Sequence, residues 1–261
     1  MITSLYSGAS GMTAQQLKLD TVTNNLANVD TTGYKRVRTE FVDLFYQNIK
    51  AAGTPVANQT SNHPTGIYKG LGTKVAATNR IFTEGNLLET GNPLDTAIAG
   101  DGFFQVQMQD GTVAYTRNGA LKVENGILKT NTGLSLLPNI TVPAGSVSIS
   151  IDLDGSVSVE QADGTQAVIG QIPLVRFANP SGLNAIGDSL FRPTAASGDP
   201  LEGIANQDGY GSIMQSYLEK SNVNAVREMV EMIATQRAYE LNSRSIQTSD
   251  SILSTVASMK R

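Results

Sequence analysis

Cysteine is absent from the 261 residues, which excludes disulfides, thiolate nucleophiles and cysteine-based metal sites. Histidine occurs once, as His63, in a polar stretch just before Pro64. A histidine-centred triad would have to use it, and no nucleophile motif accompanies it. Charge is scarce: charged residues make up 16% of the chain, against about a quarter in ordinary soluble domains. The net charge of −4 argues against a nucleic-acid partner. No apolar run approaches the roughly 20 residues needed to cross a bilayer. The opening Met1-Ile2-Thr3-Ser4-Leu5-Tyr6 has no basic region, since the first cation is Lys18. Taken alone, it predicts no cleaved signal peptide.

Motifs for chemistry are equally thin. Asp152-Leu153-Asp154-Gly155 is a fragment of a calcium-loop pattern without the closing Glu, and it reads better as a turn. Gly100-Asp101-Gly102 precedes an expected strand, whereas a phosphate-cradling loop follows a strand and opens a helix. The expectation is a protein that is not an enzyme, with no cofactor, no metal and no small-molecule substrate.

What is present is a contrast between the ends and the middle. From Ile2 to about Asn28 there is no proline, and Ile2, Leu5, Ala9, Met12, Leu19 and Leu26 follow a 3–4 spacing. That spacing predicts an amphipathic helix with a coiled-coil-like seam. Asn28 to Gly33 is a stop signal, rich in residues that favour caps and turns. From Val223 to Met259 there is neither Gly nor Pro. Val223, Val226, Val230 and Ile233 keep the 3–4 spacing, and Met232, Tyr239, Ile246 and Leu253 recur every seven residues. A second long helix follows, with Asn222 or Asn224 as its N-cap and an i,i+4 pair between Glu240 and Arg244.

The middle, about 75–217, alternates in short β-rich runs such as Phe103–Met108, Val147–Ile151 and Val157–Val159. Asp110-Gly111, Asn118-Gly119, Asn125-Gly126, Asp154-Gly155 and Asp163-Gly164 punctuate them. Such pairs signal hairpins, so the middle is expected to be an antiparallel β domain. Residues 47–72, rich in Asn, Thr, Gly and Pro, read as an extended connector. The predicted class is α+β: terminal helices packed as a coiled coil, with an inserted all-β domain. The expected division is 1–34 with 218–261 as a terminal-helix domain, 35–74 as a connector with an extended loop or hairpin, and 75–217 as the β domain. Periodicity alone equally allows the end helices to pack on the chain's own sheet.

Four stretches, in order, resemble the flagellar rod and hook family of axial proteins. They are Asn24 to Arg36 (NNLANVDTTGYKR), Thr90 to Phe104 (TGNPLDTAIAGDGFF), Ala114 to Gly119 (AYTRNG), and Tyr217 through Gln236-Arg237-Ala238-Tyr239-Glu240. The family signature falls on Asn24, Asn25, Leu26, Asn28 and Gly33. The connector, from Asp43-Leu44-Phe45-Tyr46-Gln47 to Gly70-Leu71-Gly72, is most similar to the distal-rod branch. A proximal-rod or hook subunit of the same family is the alternative.

The resemblance implies a structural subunit of the basal-body rod that self-assembles into a stiff helical tube. It implies partners among other rod subunits, the hook subunit, the surrounding ring (bushing) proteins and the flagellar type III export apparatus. It also implies a periplasm-spanning location reached without a cleaved signal, which replaces the cytoplasmic default. The terminal helices would form the inner tube and the β domain its outside. Leu5, Met12, Leu19, Leu26, Val226, Val230, Ile233, Tyr239, Ile246 and Leu253 are the expected subunit interface. The competing reading is a monomeric β-domain binding module for a cell-envelope polymer.

Overall fold

The computed structural model describes residues 2–52 and 65–259. His63, Val56 and the prolines Pro55 and Pro64 lie outside the described residues. The chain is α+β: in sequence, helix α1 (Ile2–Ala27) and helix α2 (Ala225–Met259) precede and follow a strand-rich middle. It divides into two compact units. One holds Met1–Leu26, Val37–Asn79 and Ala225–Arg261; the other holds Ala27–Arg36 and Arg80–Asn224.

In the helical unit, α1 turns Gly8, Gly11, Ala14, Val22 and Asn25 inward, while Leu5, Met12, Leu19 and Leu26 are half-buried beside them. The innermost stripe is therefore one of small residues, offset from the leucine–methionine stripe read in the sequence. Small side chains let two helices approach closely. A Cβ added at Gly8 would stand 2.8 Å from Ile246 Cγ1, and one at Gly11 would stand 2.9 Å from Asn242 Nδ2. Ser4 meets Ser249 at 3.3 Å, Lys18 meets Glu231 at 3.7 Å and Asn25 meets Glu228 at 3.1 Å. These contacts run α1 and α2 antiparallel. In the same unit Tyr46–Lys50 pairs antiparallel with Ile67–Gly70, and Val37–Asp43 pairs with Thr73–Arg80.

Of the two asparagines expected as the N-cap of α2, Asn224 stands immediately before Ala225, the first helical residue. Asn222 is not its N-cap: the Asn222 Oδ1 accepts from the Arg36 N–H at 2.7 Å, and its Nδ2 donates to the Ile81 and Thr83 carbonyls. Glu240 pairs with Arg237 at 2.8 Å, one turn toward the N-terminus, rather than with Arg244.

The β-rich unit is built on a seven-stranded sheet. Its order is Asn184–Gly187, Leu190–Arg192, Val113–Thr116, Phe104–Gln107, Ser135–Leu136, Ile127–Thr130, Leu121–Glu124. A three-stranded meander, Ser146–Ile151, Ser156–Gln161 and Gln166–Gln171, lies beside it in sequence. Side chains alternate across the main sheet as the two-residue period demands. Phe104, Ala114, Leu174 and Leu190 enter a large aliphatic core with Ile98, Leu128 and Ile213. Their neighbours Phe103, Tyr115, Val175 and Phe191 face the other way, into a smaller core with Phe177. Phe103 meets Phe177 edge to face, with ring centres 5.7 Å apart, as ring quadrupoles favour.

Three tight turns share one device. Asp110, Asp154 and Asp163 each accept, on Oδ1, the backbone N–H two residues on, from Thr112, Ser156 and Thr165. The intervening Gly111, Gly155 and Gly164 have φ near +80°, a conformation glycine adopts without strain. Asp154 is thus spent on a hairpin turn. Asn125-Gly126 also closes a hairpin, but Asn118-Gly119 does not. Instead Gly119 accepts from the Thr96 N–H at 2.9 Å, and a Cβ on it would stand 1.7 Å from the Thr96 oxygen. That glycine serves a backbone crossing, which a turn-type dipeptide cannot reveal in advance.

Candidate functional site

The four motif stretches lie far apart in sequence, and the β-rich unit brings one residue from each to a single buried point. Lys35 from the first donates from Nζ to Glu219 Oε1, from the fourth, at 2.5 Å. Arg117 from the third stands 3.5 Å from Glu219 Oε2 through Nη1. The same Nη1 donates to the Ile98 carbonyl, from the second, at 3.4 Å. Lys35 and Glu219 are fully buried and Arg117 is 2% exposed.

Each charge in this knot has further partners. Lys35 Nζ also donates to the Thr83 carbonyl at 2.7 Å. Glu219 Oε1 accepts the Gly85 N–H at 2.9 Å. The Arg117 guanidinium lies 5.4 Å from the Phe103 ring centre, and its Nε has no hydrogen-bond partner among the described residues. Burial pushes the Lys35 pKa down, and the Glu219 carboxylate opposes that shift. Burial likewise lowers Arg117. One carboxylate thus serves two cations, with Glu84 adding attraction to both.

The local sequence explains how Lys35 reaches this point. Gly33 has φ +68° and donates its N–H to the Glu219 carbonyl at 2.9 Å. A Cβ at Gly33 would lie 2.8 Å from the Asn118 nitrogen and 2.9 Å from the Arg117 carbonyl carbon. Glycine is needed there for both conformation and space. Asn28 begins the turn, with its carbonyl accepting from the Thr31 N–H at 3.2 Å. Asn25 braces the start of the strand Val37–Asp43 through its side chain. Asn24 is exposed and Leu26 half-buried.

Among the described residues no group of three or more metal-binding side chains occurs, and no helix is long and apolar enough to cross a membrane.

The expected interface residues fall into two sets. Ile246 and Leu253 are half-buried, like Leu5, Met12, Leu19 and Leu26. Val226, Val230, Ile233 and Tyr239 are exposed, with Val230 at 62% and Ile233 at 59%. Met229, Leu241, Ile252 and Val256 extend that exposed apolar set along α2. Lys35, Arg117 and Glu219 each sit inside one of the four motif stretches, yet local spacing alone gives none of them a role. In a chain so poor in charge, ionisable residues embedded in apolar, turn-rich motifs were the available signal.

Comparison with known proteins agrees with these motifs. Residues 5–35 match the model described as flagella basal body rod protein. Residues 97–159 match the flagellar hook protein FlgE/F/G D1 domain, and residues 214–259 the flagellar basal body rod FlgEFG protein C-terminal region. Flagellar basal-body rod protein FlgG of Borreliella burgdorferi is 48% identical over 265 residues, covering 100% of both chains. The protein of that name from Agrobacterium fabrum is 45% identical, over 97% of this chain and 98% of the relative. That from Bacillus subtilis is 41% identical over 100% of both. A solved flagellar hook protein FlgE2 from Helicobacter pylori covers 71% of this chain and 43% of its own, at 13% identity and a TM-score of 0.25, too low to carry an argument. With full-length identities of this size to several relatives, the chain belongs to the family of flagellar basal-body rod protein FlgG.

Proposed function

We propose that the chain is a non-enzymatic structural subunit of the distal part of the flagellar basal-body rod. Copies assemble into a stiff helical tube that carries motor torque to the hook and filament. Its neighbours are further copies, other rod subunits, the hook subunit and the surrounding ring proteins. The chain reaches its periplasm-spanning position through the flagellar type III export apparatus, without a cleaved signal. In the tube, α1 and α2 pack as coiled coils on the inside and the β domain lies outside.

The observation that carries this reading is the exposed apolar face of α2. Val226, Met229, Val230 and Ile233 stand in solvent within two turns of one another, a patch of the sort that marks an interaction surface. An open helical polymer needs a surface on each copy that meets a different surface on the next. The Tyr46–Lys50 and Ile67–Gly70 ribbon supports a second, bracing contact, since Tyr46, Ile49, Ile67 and Tyr68 on it are all exposed.

The test is Val230→Asp and Ile233→Asp in the full chain. Because both side chains are already exposed, the monomer should keep its circular dichroism spectrum and melt within about 0.5 kcal/mol of the parent. Polymerisation, followed by sedimentation, should be lost, because assembly would bury an unpaired carboxylate. Normal filaments from either variant would overturn the assignment of this face.

A further inference from the structure

A cavity of about 440 Å³ opens on the β-rich unit, beside the turn that follows α1. Arg80 lines it, held by two aromatic rings: the guanidinium carbon lies 5.8 Å from the Tyr34 ring centre and 5.3 Å from that of Phe191. Arg117, Arg176 and Arg192 of the same unit each pair with a carboxylate. Arg80 has no ion pair and donates no side-chain hydrogen bond among the described residues. Its half-buried charge thus rests on ring faces alone, and burial lowers its pKa while Tyr34 opposes the shift. The acidic residue at the rim, Asp188, is exposed and forms no ion pair with it.

Two further donors line the same cavity. Asn118 uses its Oδ1 to accept the Ala120 N–H at 3.1 Å, which leaves its Nδ2 unused. The Asn131 side chain, also in the lining, makes no hydrogen bond among the described residues. A fixed guanidinium with amide donors around it matches a carboxylate, which accepts two parallel N–H bonds from the arginine fork. The two ring contacts hold the guanidinium in place before anything binds.

We propose that this cavity is a carboxylate-binding site, with Arg80 as the bidentate anchor and the Asn118 and Asn131 amides as flanking donors. The carboxylate comes either from an acidic side chain of a second copy of the chain or from a small free carboxylate. The first source rests on the polymeric function proposed above; the site itself does not.

The site is tested on the monomeric full chain by titrating N-acetylaspartate while following the side-chain NH₂ resonances of Asn118 and Asn131 and the Arg80 Nε–H. Saturable shifts are expected at these groups, at least about tenfold weaker in Arg80→Gln and in Arg80→Lys. The lysine keeps the charge over the rings and lacks the fork, so it remains informative if Arg80→Gln fails to fold. No saturable shift, equal shifts with sodium chloride at matched ionic strength, or unchanged affinity in Arg80→Lys would each overturn the site. The source is separated by assembly. A critical concentration for polymerisation that rises in Arg80→Lys, at an unchanged monomer melting temperature, identifies the neighbouring copy. An unchanged critical concentration alongside saturable probe binding rejects the neighbour and leaves the free carboxylate. Failure of the α2 variants to behave as expected bears on assembly and leaves the titration on the monomer untouched.

Discussion

Asn25 and Val37 hold each other by two hydrogen bonds: the Asn25 Nδ2 donates to the Val37 carbonyl at 2.8 Å, and the Val37 N–H donates to the Asn25 Oδ1 at 2.9 Å. A side-chain amide thus plays the part of a neighbouring strand for the first residue of Val37–Asp43. The same Nδ2 reaches Glu228 Oε2 on α2 at 3.1 Å, so one buried amide ties the end of α1 to both a strand and the other helix. Asn25→Ala should lower the stability of the full chain by about 2–3 kcal/mol, as two or three bonds of about 1 kcal/mol each are lost. Asn25→Asp should cost more, since a carboxylate cannot donate to the Val37 carbonyl or to Glu228. Urea unfolding of the three proteins checks the order.

The buried knot makes a sharper prediction. Glu219→Ala strands Lys35 and Arg117 without their shared counter-charge and should destabilise the β-rich unit by about 3–5 kcal/mol, the usual cost of breaking a buried pair. Adding Lys35→Met to Glu219→Ala should recover part of that loss, because one stranded cation is removed. A double-mutant cycle by chemical denaturation measures the coupling. Additive losses would show that the two residues act independently.

Gly33 and Gly91 separate conformation from space. Their φ values are nearly equal, +68° and +70°. A Cβ at Gly33 meets the backbone of Arg117 and Asn118, while a Cβ at Gly91 meets nothing within 4 Å. Gly91→Ala should therefore cost about 1 kcal/mol, the penalty of a left-handed conformation alone. Gly33→Ala should cost clearly more, because backbone atoms cannot move aside. Thermal melts of the two single variants decide between them.

The three turn aspartates predict acid sensitivity. Hydrogen bonds from Thr112, Ser156 and Thr165 hold the carboxyls of Asp110, Asp154 and Asp163 below their usual range. A carboxyl whose folded pKa is depressed adds stability above its unfolded pKa, and that stability is lost as pH falls through the folded value. Melting temperature should therefore drop as pH is lowered from about 4 downward. The triple variant Asp110→Asn, Asp154→Asn, Asp163→Asn should show a shallower drop over the same range. Scanning calorimetry at several pH values reads the difference.

Much of this molecule is legible in its sequence because its signals are local. The helix ends, the β-rich middle and four of the five Asx-Gly turns depend on residues within a few positions of one another. The fifth, Asn118-Gly119, escapes because its reason is Thr96, which no short-range rule connects to it. The inner stripe of α1 escapes for a related cause. Apolar periodicity weights Leu5, Met12 and Leu19, whereas closest approach to α2 is made where side chains are smallest, at Gly8 and Gly11. The knot was half visible. The motifs holding Lys35, Arg117 and Glu219 stand out as stretches, but a salt bridge across 184 positions leaves no mark in either stretch alone.

That long span has a consequence for how the chain comes to be folded. Peptide chains are made from the N-terminus, so Lys35 and Arg117 exist long before Glu219 does. Until residue 219 is available, closing the β-rich unit would bury two cations without the carboxylate that pairs directly with both, a state several kcal/mol uphill. The strand Ser212–Gln215, which pairs with Thr96–Ala99, arrives equally late. The unit is thus kept from shutting on itself by its own electrostatics, and its completion waits for the last fifth of the polypeptide. Contacts of such separation form slowly, so closure of the unit lags behind synthesis of its earlier strands.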